Sequence, residues 1–587
     1  MTEKVRKTVP WFIVLSLVLM VVIIGFNFGQ KAMPERVSAD TATTSVIVGN
    51  AAPIFSAVVE DPSSAGGKGE GSTAGNPTNE GDNITWKGTA SDSNADDWYL
   101  AICKSDAIAT TGASAPTCPG GTWVVSTRAS SSVEATAATS TTGVSATSSD
   151  WWAFACDHTA SQKCSTGNQG TSAGDGDSPF NVNHRPAFTQ ISNDGPQNPG
   201  VNVTWNSTTS DADKFDVDDW IGLYICKSQV FATGTTPACT GGEWCSATSS
   251  SDTTCSYAVP TPTPDTTYNA YAYIVDNHGF DSSDATQSEA TSYDVNNIAP
   301  TVSAATISVV DGNAGTLDLT NPEGETSGFE VNATIVDNNS CENASAGNEI
   351  ATSSVASTTY AWAYRSGVTS ECSANPNNCY LYLDECTLGP CGGTADGDVT
   401  TTCSFSMWYV ADPTDSTSQY PDEDWRGSIV VADDNNASST TDASSGTELA
   451  SYMAYALVTN VSLDYGTVSP TGESDEDEIT IKATGNVGLD EELSGVDMEK
   501  EGAPATTIGI AQQEYSTSTG FTWGGASSTA ASVTPTEFEL NCSKTTSTTT
   551  PATADTYWKI KIPDAQESGT YNGTNTVTGV MSETSTW

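Results

Sequence analysis

Apolar and polar residues alternate in short runs along most of this chain. Ile221, Leu223 and Ile225 take every second place around Gly222 and Tyr224 and lead into Cys226. Phe329, Val331, Ala333 and Ile335 do the same ahead of Asp337-Asn-Asn339. A period of two, bounded by Gly, Asp, Ser and Thr, predicts antiparallel strands with one buried face. Similar runs predict strands over 151–156, 268–275, 428–432, 479–483, 558–562 and 575–580, and Tyr360, Trp362 and Tyr364 do not follow a helix period. Asp276-Asn-His-Gly279 and Asp433-Asp-Asn-Asn436 read as turns, because Asn and Gly tolerate positive φ. The acidic stretches 473–478 and 490–492 read as loops. No helical pattern recurs beyond the N-terminus, so the expected fold class is all-β.

One stretch occurs twice. Residues 202–244 (NVTWNSTTSDADKFDVDDWIGLYICKSQVFATGTTPACTGGEW) repeat 83–123 (NITWKGTASDSNADDWYLAICKSDAIATTGASAPTCPGGTW). Trp86 matches Trp205, Trp98 matches Trp220, Cys103 matches Cys226, Cys118 matches Cys239, and Trp123 matches Trp244. Identity held at aromatics, cysteines and glycines, with loops of varying length between them, is the mark of a repeated structural module.

A second periodic feature sets the boundaries. Asn50-Ala-Ala-Pro53, Asn183-His-Arg-Pro186 and Asn297-Ile-Ala-Pro300 share Asn-x-x-Pro, each after a strand-like run (45–48, 180–182 and 293–295). Proline stiffens such a joint and cannot donate to a ladder. The domains expected are 50–183, 184–297, a disulfide-rich 298–450 and an acidic C-terminal 451–587. They are tandem β-sandwiches of Ig-like build. Ahead of them, Lys4, Arg6 and Lys7 precede an apolar run over 11–28, so 1–39 reads as a signal peptide with a cleavage site after Val37-Ser-Ala39, or as a membrane anchor. As a helix that run would be about 27 Å long. No C-terminal transmembrane segment or sorting signal is expected.

The formal charge of the 587-residue chain is −52. Phosphate binding needs clustered Lys and Arg, so nucleic acid is excluded as a partner. The acid favours bound cations, or a surface adapted to salt. Fifteen cysteines fall in local groups: Cys103, Cys118, Cys156 and Cys164; Cys226, Cys239, Cys245 and Cys255; six between Cys341 and Cys403; and Cys542 alone. Even counts within each group predict disulfides and an oxidising, extracytoplasmic compartment. Cys103–Cys118 and Cys226–Cys239 are expected as matching bridges, while pairing in the third group stays open. Zinc is disfavoured, since no Cys-x-x-Cys occurs and only His158, His184 and His278 are present.

Oxygen-rich loops make Ca2+ the candidate cofactor. Asp211, Asp213, Asp216 and Asp218 form one set, and Asp92, Asp96 and Asp97 form its counterpart in the first copy. Phe215 stands where an EF-hand would place a ligand, and no Gly follows. Asp175-Gly-Asp177, Asp433-Asp434 and the acid of the last domain are lesser candidates. The joint Asp294-Val-Asn296-Asn297-Ile-Ala-Pro300 resembles the cadherin linker. Asn297 and Ile298 replace an Asp and an Asn there, which removes two oxygens and weighs against calcium. No Gly-x-Ser-x-Gly elbow or nucleophile–base set is present, so no enzyme is expected. Trp151 and Trp152 are read as core rather than as a sugar-stacking platform.

The segments Thr359-Tyr-Ala-Trp-Ala-Tyr-Arg-Ser-Gly-Val368, Asn377-Asn-Cys-Tyr380, Trp408-Tyr-Val-Ala-Asp-Pro-Thr414 with Trp425, Leu463-Asp-Tyr-Gly-Thr467 and Thr556-Tyr-Trp-Lys resemble the Ig-like surface-layer proteins of candidate phyla radiation (Patescibacteria) bacteria. That resemblance implies an abundant secreted coat protein whose partners are further copies of itself and the cell envelope. The alternative is a multi-domain adhesin for a host cell or glycan.

Overall fold

The computed structural model divides the chain into two compact units, Met1–Ala51 and Ala52–Trp587. It describes residues 45–587 apart from 62–71, 171–177, 214, 216–218, 235, 314, 343–348, 351–358, 383–385 and 460–461. The expected signal or anchor segment and Asp175, Asp177, Asp216 and Asp218 lie outside the described residues. Among the described residues no helix is long and apolar enough to cross a membrane. Residues 45–51 carry no strand, contrary to the strand-like pattern of 45–48, and Val46, Ile47 and Val48 are exposed.

The second unit is built from β-sandwiches. In the first, Ile54–Glu60, Asn83–Ser91 and Glu134–Ser140 pair in that order, and Trp98–Cys103 lies between Thr122–Val125 and Trp152–Asp157 in the facing sheet. The next sandwich repeats the plan. Ala187–Asn193, Asn202–Ser210 and Thr254–Ala258 form one sheet, and Ile221–Cys226 lies between Glu243–Ser249 and Tyr271–Asp276 in the other. The predicted strand over 268–275 is interrupted at Asn269 and Ala270, and Thr267–Tyr268 pairs instead with Tyr293–Asp294.

The period of two fills each core from both sheets. Ile84, Trp86, Leu100, Ile102 and Trp151 are buried together in the first sandwich; Val203, Trp205, Leu223, Ile225 and Tyr293 are buried together in the second. Trp86 meets Trp151 edge-on at 6.0 Å, and Trp205 meets Tyr293 at 5.6 Å. Trp151 is thus core, while Trp152 is half-buried.

The duplicated loops match in detail. Gly121 and Gly242 have φ of +106° and +99°, and each carbonyl accepts from the residue after the first cysteine, Lys104 or Lys227, at 2.9 Å. The same lysines lie over Trp123 and Trp244 at 4.0 and 4.2 Å. One sequence correspondence shifts. Trp98 pairs with Asp157 and Ile221 with Asp276, so Trp98 takes the place of Ile221 rather than of Trp220. The second copy has one more residue between this Trp and the cysteine. A one-residue slip turns a side chain to the other face; Trp98 is fully buried and Trp220 only partly.

The third sandwich packs Thr301–Val302, Glu325–Val336, Asp398–Trp408 and Cys386–Leu388 against Cys379–Tyr382, Tyr360–Arg365, Trp425–Ala432 and Ser438–Asp442. The fourth sets a five-stranded sheet (Tyr455–Thr459, Asp477–Ala483, Thr553–Ile560, Gln513–Ser516 and Thr529–Ala530) beside Thr536–Cys542, Leu489–Gly495 and Asn575–Met581. Here the acidic run 490–492 is strand, not loop. Leu489 and Leu493 are buried, and the acids beside them find donors: the Asn541 amide donates to Asp490 at 2.6 Å, and the Thr556 hydroxyl to Glu491.

Cys103–Cys118, Cys156–Cys164, Cys226–Cys239, Cys245–Cys255, Cys341–Cys391, Cys372–Cys379 and Cys386–Cys403 are bonded. Bridging a loop of about fifteen residues stabilises by roughly 3 kcal/mol in the chain-entropy view. Cys542 is buried and free, and burial pushes its thiol up to about 11. Iodoacetamide at neutral pH is expected to leave the native protein unmodified and to label one cysteine after unfolding without reductant. Rapid native labelling, or more than one label in the unfolded chain, would show a different pairing.

Candidate functional site at the domain joints

Each of the first three sandwiches ends its second long strand in an Asx turn. The amides of Asn94, Asp213 and Asn339 donate to the carboxylates of Asp92, Asp211 and Asp337 at 2.6, 2.9 and 2.7 Å. Asp and Asn favour this local bond over continued ladder pairing. A second acid closes a strand beside each turn: Asp157, Asp276 and Asp433, all nearly fully buried. Asp276 accepts from the amides of His278 and Phe280 at 2.9 and 2.8 Å, and Asp433 accepts from Ala437 at 2.7 Å.

The Asn-x-x-Pro joints lock onto this frame. The Asn183 side-chain amide donates to Asp276 at 2.8 Å, and that of Asn297 to Asp433 at 2.9 Å. The next backbone amide is also placed alike: His184 donates to the Asp213 carboxylate, and Ile298 to Asn339 Oδ1. The joint asparagines and their proline were visible in the sequence as boundary markers, and at Asn297 as a weakened cadherin-like linker; the carboxylates that Asn183 and Asn297 bond lie about a hundred residues away, too far for local pattern to reveal.

Joint one–two carries its own cation. His184 Nε2 lies 2.7 Å from the Val144 carbonyl and Nδ1 lies 3.0 Å from both Asp213 oxygens. A carbonyl and a carboxylate only accept, so both ring nitrogens donate and the ring is an imidazolium. Burial opposes that charge, but the bonds to Val144 and Asp213 outweigh it and hold the ring above its ordinary pKa. The Thr147 hydroxyl also donates to Asp213 at 2.8 Å. Asp213, from the sequence-predicted calcium set, is therefore buried with both oxygens engaged. Asp211 beside it is pushed up to about 7 by burial and by Asp276, Asp213 and Asp219. Burial likewise lifts Asp276 to about 6. In the first sandwich Asp92 is buried, Asp96 is raised by burial and by Asp92, and Asp97 pairs with Arg128 at 3.1 Å.

Joint three–four is sealed by two side-chain cations. Lys544 Nζ is buried and donates to the Val410 carbonyl at 2.7 Å and to Asp412 at 3.0 Å. Arg365 Nε donates to the other Asp412 oxygen at 3.2 Å, its Nη1 donates to Glu423, and its guanidinium covers Tyr420 at 3.6 Å.

Joint two–three is different. The Asn339 side chain donates to the Asn296 carbonyl at 2.9 Å, and Asn435 donates to Asp265 at 2.6 Å. Around these bonds stand Asp337, Glu349, Asp433, Asp434 and Asp265. Burial lifts Asp337 to about 7 and Glu349 to about 8, with the neighbouring acids adding to it. Glu349 did not figure in the sequence reading, because a lone Glu in a Ser- and Asn-rich stretch carries no signal.

Elsewhere among the described residues, Asp490, Glu539 and Glu583 bring three oxygens within 4.8 Å of one another. Cys341, Cys391 and Asp396 also meet, but those two sulfurs are joined in a disulfide. The joint carboxylates are not drawn that close.

Two outcomes follow from the joints. His184 and Asp211 both hold a proton more tightly in the folded chain than in the unfolded one. Unfolding therefore releases protons, and stability falls as pH rises. In chelator, the melting temperature should drop as pH rises, through Asp211 between about pH 4 and 7 and through His184 above the ordinary histidine pKa near 6.5, and His184→Gln should flatten the upper part of the slope. A melting temperature that rises across this window would contradict the assignment. At joint three–four, Asp412→Ala leaves buried Lys544 without an acid and Arg365 with Glu423 alone, and should cost on the order of 3–5 kcal/mol. Lys544→Met leaves Asp412 with Arg365 and should cost less; equal or reversed losses in denaturant titrations would argue against the shared pair.

No protein-family model matches the chain, and no curated protein matches it. Among solved structures, it is similar to a chaperone–tip adhesin complex of CFA/I fimbriae (11% identity, 54% of this chain and 91% of that one, TM-score 0.21). It is also similar to a structure concerned with host cell surface retention of a 1.5-MDa bacterial ice-binding adhesin (11%, 68% and 98%, TM-score 0.21). A third is the CsuC–CsuE chaperone–tip subunit complex of Acinetobacter baumannii (11%, 46% and 99%, TM-score 0.18). Likeness at this level carries no functional argument. What stands on the chain's own features is an all-β, disulfide-bonded protein of the kind found outside the cell or on its surface.

Proposed function

We propose that this protein is a structural component of a bacterial cell surface that assembles with copies of itself into an S-layer coat on the envelope. The observation carrying the reading is the construction of the joints. Each of the last three sandwiches is tied to the one before it by buried hydrogen bonds or ion pairs, as a covering under mechanical load requires. Seven disulfides support residence outside the reducing cytoplasm. The roles given to the acids are structural rather than catalytic.

Association between copies draws support from 46–48. Val46 and Val48 stand seven and five residues before Pro53, as Tyr293 and Val295 stand before Pro300. Tyr293 and Val295 are buried at the end of the second sandwich, whereas Val46 and Val48 are 85% and 76% exposed. A segment that is not itself a strand here but has a strand-like sequence and exposed valines is suited to pairing with another chain.

The adhesin reading draws on the fourth sandwich. It holds a cleft of about 600 Å³ lined by Leu463, Tyr465, Met498, Ile508, Ile560 and Tyr571. Asp464, Thr467, Gln566, Glu567 and Asn572 line it as well, and polar groups beside aromatic rings suit a small polar ligand.

Electron microscopy of the purified chain separates the two. Ordered two-dimensional arrays are expected at high protein concentration, and replacing Val46 and Val48 with Ser should weaken them. Protein that stays monomeric while binding a glycan through the Tyr465 cleft would overturn the coat in favour of the adhesin.

A further inference from the structure

A buried carboxylate needs a countercharge, donors or a proton. Joint one–two supplies the His184 imidazolium, and joint three–four supplies Lys544 and Arg365. Joint two–three, built on the same frame, places Ile298 where His184 stands. Between His278 and Lys482 the sequence holds two basic residues, Arg365 and Arg426. Arg365 is committed to Asp412 and Glu423, and Arg426 to Asp424. The residues 343–358 beside Glu349 contain no Lys, Arg or His.

The oxygens at this joint are left over in a consistent way. Glu349 is fully buried, and neither of its carboxylate oxygens has a hydrogen-bond partner. Asp337, 1% exposed, has Oδ2 unpartnered, and Asn297 has Oδ1 unpartnered because its amide is spent on Asp433. These orphans come from three separate segments that meet only in the fold. Asp433 lies among them, held beside Glu349 by the bridge between Ile350 and Asp433 and by the bond from the Asp434 amide to the Glu349 carbonyl at 2.7 Å. Asp434 and Asp265 stand at the rim.

We propose that the joint between the second and third sandwiches is a divalent-cation site of the calcium type, with Glu349, Asp337, Asp433 and Asn297 Oδ1 as ligands and Asp434 or Asp265 completing the shell. The donor set is all oxygen, which selects a hard cation over zinc or copper. Ca2+ accepts six to eight oxygens in flexible geometry, whereas Mg2+ demands a tight octahedron. Without the ion, like charges hold the carboxylates apart; with it they close around a common centre and fix the joint. The site is independent of whether copies of the chain assemble.

Calcium titration of the full-length protein, by calorimetry at constant ionic strength after chelator treatment, tests the assignment. A saturable site is expected at about millimolar Ca2+ or below, with Na+ unable to replace it. Glu349→Gln should weaken that site by about tenfold or more, the scale of losing one good charged contact. Asp434→Asn, at an exposed position, should weaken it by a smaller factor. Asp213→Asn, at the joint that has its own histidine, should leave it unchanged. Melting adds a signature that a purely structural glutamate lacks. In EGTA, Glu349→Gln should melt higher than the parent, because a neutral amide replaces an uncompensated acid, and in Ca2+ the order should reverse. If the parent melts at one temperature in Ca2+ and EGTA, or Glu349→Gln binds Ca2+ as the parent does, the acid is carried by protons and the site does not exist. Loss of binding in Asp213→Asn with Glu349→Gln unaffected would move the ion to the other joint and equally overturn the proposal.

Discussion

Countercharge for buried acid is the constraint on which this molecule depends. A chain with formal charge −52 cannot keep every carboxylate in water once its domains are tied together, because the ties are made from those carboxylates. Asx turns and strand-end aspartates give each sandwich a ready set of acceptors, and the Asn-x-x-Pro joint brings the next domain's donors to them. What varies is the cation. A histidine serves at one joint and a lysine with an arginine at another. At the joint between them no side-chain cation is present among the described residues, although the acceptor frame is the same. Bonds of this kind are strong only when complete: a buried pair that loses one partner costs several kcal/mol, while an exposed pair contributes little.

The sandwiches themselves rest on ordinary forces. Alternating apolar residues fill each core from two sheets, tryptophans in the first two copies take up equivalent central positions, and local disulfides tie the loops. These parts were legible in the sequence because they follow short-range rules: a period of two, paired cysteines at matched spacing, glycine where φ is positive. The repeat, the all-β class and the burial of Trp151 could be read directly.

The remainder was not legible, for identifiable reasons. Trp98 and Trp220 share an Asp-Asp-Trp sequence, but one extra residue places them on different faces, and only strand register shows it. Asp490 and Glu491 look like loop acids, yet Leu489 and Leu493 draw them into a strand whose neighbours supply donors. The candidate site was glimpsed only in part: Asp433-Asp434 stood among the calcium candidates, and the joint at Asn297 resembled a cadherin linker with two oxygens lost. Acidic loops pointed to Asp211 and Asp213, but Asp213 turned out to be occupied by His184 and Thr147. Glu349, with both oxygens free of protein donors, lies in a stretch without any motif. Its partners come from other segments of the chain, so no local window contains them.

The most direct measurement is an anomalous difference map from crystals of the full chain grown with Ca2+ and exchanged into Tb3+. The account predicts a peak at joint two–three, among Glu349, Asp337, Asp433 and Asn297 Oδ1, and none beside Asp213, where the imidazolium already stands. A map with density at the Asp213 joint and nothing at Glu349 would contradict it.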